Sequence, residues 1–174
     1  MCKKICFIFF CFMLLHTLTN AQTPSAVNVL KPAYAKAAQT NKRVLLIFHA
    51  SWCGWCKKMD ASLADLAIKA AIDRNFQIVH LTVYENGTKK NLENPGGLEL
   101  LKQLGGADKS LPYWFVLDAK GNKLANSEFE LGKNAGCPSA EAEVVYFIKV
   151  LQQTGKFTPA ELEAIKLRFK KNEG

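Results

Sequence analysis

The sequence predicts a single α/β domain, and three observations predict it. Val44-Leu45-Leu46-Ile47-Phe48 is a continuous apolar run of the kind found in a strand covered on both faces. Residues 76–84 read as a further apolar strand, and Tyr113-Trp114-Phe115-Val116-Leu117 as another behind Pro112. Between and after these runs the apolar residues recur at helical spacing.

Taken in order, the chain opens with Lys3 and Lys4, followed by an apolar stretch over residues 5–15 and the small-residue sequence Thr19-Asn20-Ala21. This is the pattern of a signal peptide cleaved before Gln22, so residues 1–21 are assigned to export and 22–174 to the mature domain. The apolar stretch is shorter than the ~20 residues of a membrane span, and no later segment approaches that length. The expected location is therefore extracytoplasmic, periplasmic or secreted, with no transmembrane segment in the mature chain. Cleavage removes Cys2, Cys6 and Cys11 and leaves Cys53, Cys56 and Cys137. It also removes two lysines and no acid from a chain of net charge +8. No aromatic-interleaved basic platform, helix-turn-helix or zinc-finger spacing is present, so a nucleic-acid partner is not expected.

Residues 22–25 read as a loose leader and 32–39 as a short helix ahead of the first strand. The strand at Val44 runs into His49-Ala50-Ser51-Trp52-Cys53-Gly54-Trp55-Cys56-Lys57-Lys58-Met59. Met59, Leu63, Leu66, Ala67 and Ala70 then predict one helix with an apolar face. Residues 85–95 are polar and predict a loop shaping a rim, and 97–104 a short helix. Asp118-Ala119-Lys120-Gly121-Asn122 predicts a hairpin turn. Ser139 is the expected N-cap of a helix carrying Val144, Val145, Ile148 and Leu151. Thr158-Pro159-Ala160-Glu161 is a capping box with proline at the first helical position, opening a last helix with apolar Leu162, Ile165 and Phe169.

The chemistry lies in Cys53 and Cys56. A helix N-terminus presents unpaired N–H groups and partial positive charge, which stabilise a thiolate on Cys53. Cys56, one turn on, is placed to resolve a mixed disulfide formed by Cys53. A zinc site would need four ligands, and only Cys137, His49 and His80 remain as further candidates, so no metal is expected. A purely structural bridge closing so short a loop would constrain little of the unfolded chain. His49 and His80 are read as hydrogen-bonded core histidines rather than proton carriers, and Lys57 and Lys58 as solvated. Trp52 is explained equally by packing and by contact with substrate, whereas Trp55 is expected to be exposed. Cys137 is expected as a buried small hydrophobe in a loop on the far side of the sheet from the active helix start.

Strand, Trp-Cys-x-x-Cys, helix, proline-headed strand and hairpin together resemble the thioredoxin superfamily over residues 44–151. The Trp-Cys-Gly-Trp-Cys-Lys-Lys run is similar to secreted bacterial thioredoxin-like proteins grouped with the soluble domains of envelope disulfide reductases. The resemblance implies a thioredoxin fold, a central mixed β-sheet flanked by helices, here with N-terminal and C-terminal helical extensions. It implies that Pro112 is cis and faces the cysteine pair, and that Leu111 offers its backbone to substrate. One of Tyr113 and Trp114 is then expected to line the substrate groove. The chain departs from thioredoxin at Ile47, which stands where thioredoxin carries a buried carboxylate, and at Gly54-Trp55 in place of Gly-Pro. The implied activity is thiol–disulfide exchange on protein thiols or disulfides. Cys53 and Cys56 are then catalytic, and Trp52, Trp55, Leu111 and Pro112 bind substrate. No cofactor beyond the dithiol is required, and a redox partner must regenerate the pair. The chain is expected to act as a monomer. The alternative is a non-catalytic binding module, or a carrier of a soft metal such as Cu(I) on the cysteine pair.

Overall fold

The computed structural model describes residues 22–173. The signal-peptide assignment over residues 1–21 lies outside them. Among the described residues, six α-helices and six strands follow in the order α1 (Ala26–Thr40), β1 (Arg43–His49), α2 (Gly54–Leu63), α3 (Leu66–Asn75), β2 (Phe76–Thr82), α4 (Gly97–Gln103), β3 (Tyr113–Leu117), β4 (Lys123–Asn126), β5 (Glu128–Glu130), β6 (Lys133–Asn134), α5 (Glu141–Thr154) and α6 (Pro159–Lys170).

Four strands form one mixed sheet in the order β2-β1-β3-β4, with β1 parallel to β2 and antiparallel to β3. The period-two alternation of side chains sorts the apolar run of β1 to two faces. Leu45 and Ile47, with Trp114 and Val116 of β3, pack against α2, α3, α5 and α6 through Met59, Ile72, Phe147 and Phe169. Val44, Leu46 and Phe48, with Phe115 and Leu117, pack against α1 through Leu30, Ala33 and Ala37 and against α4 through Leu101. Burial on both faces is why β1 and β3 read as unbroken apolar runs rather than alternating ones.

Several sequence expectations change. The first helix begins well before Pro32, because the Ser25 hydroxyl accepts the Asn28 N–H and caps it. Proline favours the first helical turn, which is why residue 32 resembles a start, yet it lies inside α1. The helix expected after Met59 is two helices. Asp65 caps α3 by accepting the Ala67 N–H, so Leu66, Ala67 and Ala70 rotate to the exposed side and Ile68 and Ile72 are buried instead. Ser139 does not cap α5. The Glu143 carboxylate gathers the Ser139 and Ala140 N–H groups at 3.0 and 3.1 Å, and the helix starts at Glu141 with Val145 exposed. The Thr158–Glu161 capping box is present at the start of α6.

Candidate redox site

Strand β1 ends at His49, and the turn Ala50-Ser51-Trp52 delivers Cys53 to the N-cap of α2. The Cys56 N–H donates to Cys53 Sγ at 3.1 Å, so the first sulfur occupies the place of a capping oxygen. The two cysteines form a disulfide with Cα atoms 5.3 Å apart, and both are buried. Leu111 packs on Ala50, Cys53 and Cys56, and the Leu111–Pro112 peptide bond is cis. Two segments distant in sequence, the β1–α2 turn and the head of β3, thus meet at the sulfurs.

Trp52 and Trp55 flank the pair and are 53% and 47% exposed. The Trp52 indole N–H donates to the Tyr84 carbonyl at 2.8 Å, so this ring is held while half of it faces solvent. Trp55 lies under the Lys58 ammonium, 4.5 Å from the ring centroid, which places Lys58 in a cation–π contact.

Beside Trp55 and Pro112 opens a groove of about 330 Å³, walled by Leu111, Asn134, Gly136 and Cys137. Gly136 has φ +50°, and a Cβ there would sit 3.4 Å from the Pro112 carbonyl oxygen, so glycine suits both the backbone and the close approach. Neither Tyr113 nor Trp114 lines the groove, contrary to expectation. Both are fully buried, Tyr113 in the α1 core and Trp114 in the α2 core, where its indole N–H donates to the Gly136 carbonyl at 2.8 Å.

Cys137 is buried, as expected, but on the active-site side of the sheet rather than the far side. It shares the core of Met59 and walls the groove together with Trp55 and Pro112. Burial pushes its thiol up to about 12. Position in sequence offered no sign of this, because the loop returns beneath Pro112 only through the β5–β6 hairpin.

Two further residues escaped the sequence. Glu85 lies in a segment that reads as a polar loop, yet it is 1% exposed, and its carboxylate accepts the Ser51 N–H and hydroxyl. Asn134 reads as an ordinary surface asparagine, yet its carboxamide ties the groove walls together. Neither role leaves a spacing or periodicity to find.

The histidines form a chain along the sheet. His49 Nε2 is 3.1 Å from Thr82 Oγ1, His80 Nε2 is 2.8 Å from Asp60 Oδ1, and the two rings are 5.1 Å apart. Burial, and then the neighbouring His80, hold His49 below the usual imidazole range. Ile47 is buried in the core, so β1 supplies no carboxylate beneath the sulfurs. Among the described residues, no group of three or more His, Cys, Asp or Glu side chains is arranged to hold a metal ion, and no helix is long and apolar enough to cross a membrane.

Comparisons with known proteins agree with this architecture. The thioredoxin-like domain family model matches residues 30–128. Thioredoxins of Mycobacterium bovis and Mycobacterium tuberculosis are each 28% identical over 108 residues, covering 50% of this chain and 93% of theirs. The crystal structure of a disulphide isomerase from Xylella fastidiosa Temecula1 superposes with a TM-score of 0.50 at 23% identity, covering 83% of this chain and 88% of that one, a likeness of fold. With its mixed sheet and a cysteine pair closed at the N-terminus of α2, the chain belongs to the thioredoxin-like domain family, as a thiol–disulfide oxidoreductase.

Proposed function

We propose that the protein catalyses thiol–disulfide exchange on protein substrates outside the cytoplasm. The observation that carries this reading is the junction of the Cys53–Cys56 disulfide with Leu111 at the edge of a groove lined by the half-exposed Trp55. The Lys3-Lys4 n-region, the apolar stretch behind it and the Thr19-Asn20-Ala21 site support export.

In the reductive direction, the Cys53 thiolate attacks one sulfur of a substrate disulfide. A Cys53–substrate bond forms, the substrate S–S bond breaks, and the other substrate sulfur leaves as a thiolate. Cys56, losing its proton to solvent, then attacks Cys53 Sγ. The Cys53–Cys56 bond closes and the second substrate thiolate leaves, so two electrons pass to the substrate. The oxidative direction is the reverse. The partial positive charge at the start of α2 favours the Cys53 anion when it is attacking and when it is leaving. Leu111 pairs its backbone with an extended substrate strand, Pro112 aligns that strand, and Trp52 and Trp55 give it an apolar landing. A partner of matched potential restores the pair after each cycle, and its potential decides the direction of flow.

Cys56→Ser is expected to accumulate mixed disulfides with protein substrates that dithiothreitol releases, and Cys53→Ser to abolish turnover without trapping. Function surviving Cys53→Ser would turn the reading to a binding module, and co-purification of Cu(I) lost with either cysteine would turn it to a metal carrier. Mass spectrometry of exported protein beginning at Gln22 checks the location.

A further inference from the structure

We infer that Asn134 is a positioning residue that sets the register in which an extended substrate pairs with the Ser110–Leu111–Pro112 segment, an inference that rests on the function proposed above. Asn134 ends the β5–β6 hairpin and lines the groove. Its Nδ2 donates to the Ser110 carbonyl at 2.8 Å, the Pro112 carbonyl at 3.0 Å and the Ser110 hydroxyl at 3.1 Å. Its Oδ1 accepts the Gly136 N–H at 2.9 Å. One carboxamide therefore holds both walls of the groove, and only this orientation of the amide satisfies all the partners, since Nδ2 faces acceptors and Oδ1 faces a donor.

The arrangement is selective about what it leaves free. The carbonyls on either side of Leu111 are occupied, whereas the N–H and C=O of Leu111 make no hydrogen bond among the described residues. Within the Ser110–Leu111–Pro112 segment, Leu111 is the residue that offers a peptide strand both an unpaired N–H and an unpaired C=O, and it packs on Cys53 and Cys56. Pairing one residue earlier or later would meet a carbonyl that already accepts from Asn134. Because successive side chains of a strand alternate in direction, a slip of one residue would turn the substrate cysteine away from the sulfurs. The hairpin that carries Asn134 is fastened to the same segment a second time. Glu128 receives Lys109 Nζ at 3.1 Å and the Tyr113 hydroxyl at 3.4 Å.

The consequence is a separation of KM from intrinsic thiol reactivity. The probes are insulin, a protein disulfide that needs the groove, and glutathione disulfide and dithiothreitol, which reach the sulfurs without pairing as a strand. Asn134→Ala is expected to raise KM for insulin reduction by about 5- to 10-fold, the scale of one or two lost hydrogen bonds. Its rate with glutathione disulfide is expected to stay within about twofold of the native protein, and its Cys53–Cys56 reduction potential to stay unchanged. Asn134→Asp, which keeps the acceptor for Gly136 but turns a carboxylate toward two carbonyls, is expected to behave like Asn134→Ala. Thermal unfolding of each variant identifies those that fold, and should Asn134→Ala fail to fold, Asn134→Asp decides alone. Unchanged KM in a folded Asn134 variant would overturn the inference. So would an equal loss of rate with insulin and glutathione disulfide, or a shifted potential, each of which would place its effect on the sulfurs. Native protein that exchanges with none of the disulfide and dithiol probes would instead overturn the proposed function itself.

Discussion

Glu85 and Ser51 are joined twice: the Ser51 N–H meets one carboxylate oxygen of Glu85 at 2.5 Å and its hydroxyl meets the other at 2.9 Å. The pair fixes the turn that delivers Cys53, and the same loop holds Trp52 through the Tyr84 carbonyl. Glu85 is itself anchored, since its N–H donates to Glu93 at 2.7 Å. A buried carboxylate thus lies behind the active-site turn, supplied by the segment after β2 rather than by β1.

Glu85→Ala is expected to strand both donors of Ser51 and to cost about 1–3 kcal/mol of unfolding free energy, measured by urea denaturation of the oxidised protein. Glu85→Gln keeps an acceptor for one of them and is expected to cost less. Equal stability of Glu85→Ala and the native protein would show that solvent replaces the carboxylate at no cost.

The reduced, folded protein is expected to alkylate faster at Cys53 than at Cys56 near neutral pH. The Cys56 N–H points at Cys53 Sγ, and the first-turn N–H groups of α2 favour an anion there. Iodoacetamide labelling followed by peptide mass spectrometry measures both rates, and equal rates would remove the basis for Cys53 as the nucleophile.

How much of this was legible depended on whether a feature is local in sequence. The cysteine pair, the proline before β3 and the two buried central strands each leave a contiguous mark, and all stand where the sequence puts them. The α2–α3 break did not show, because Leu66 and Ala67 mimic an apolar helical face while Asp65 competes as a cap. Three residues around the site were hidden for a different reason. Glu85, Asn134 and Cys137 reach the site only through the way β2 and the β5–β6 hairpin return the chain to it, and nothing periodic encodes that return.

Cys137 is expected to resist alkylation in the folded protein and to react once it is unfolded, leaving a monomer on non-reducing gels. Its thiol pKa is pushed up to about 12 by burial, against ~8.5 for an unfolded thiol. A raised folded value means that the native state holds its proton longer. The associated stability is complete below the unfolded value and is lost as pH rises from there toward the folded value. Stability measured from pH 8 to 11 is therefore expected to fall less steeply in Cys137→Ala than in the native protein, after allowing for the constant loss from the missing sulfur. A disulfide-linked dimer removed by Cys137→Ser but not by Cys53→Ser would show the thiol to be accessible after all.

Asn172 makes that protection testable from the other side. Its Nδ2 lies 3.4 Å from Cys137 Sγ, 3.3 Å from the Pro138 carbonyl and 3.0 Å from Ser62 Oγ, while Arg168 donates to its Oδ1 at 3.2 Å. Ser62 in turn donates to the Lys58 carbonyl of α2 at 2.8 Å, so one buried amide near the end of α6 joins the active-site helix to the groove wall. Asn172→Ala removes these bonds and opens space beside the sulfur. The expected result is a loss of about 1–3 kcal/mol in urea unfolding, together with faster labelling of Cys137 in the folded protein at pH 8. Labelling as slow as in the native protein would mean that Met59, Val144 and their neighbours shield the thiol without the amide, leaving Asn172 to act on stability alone.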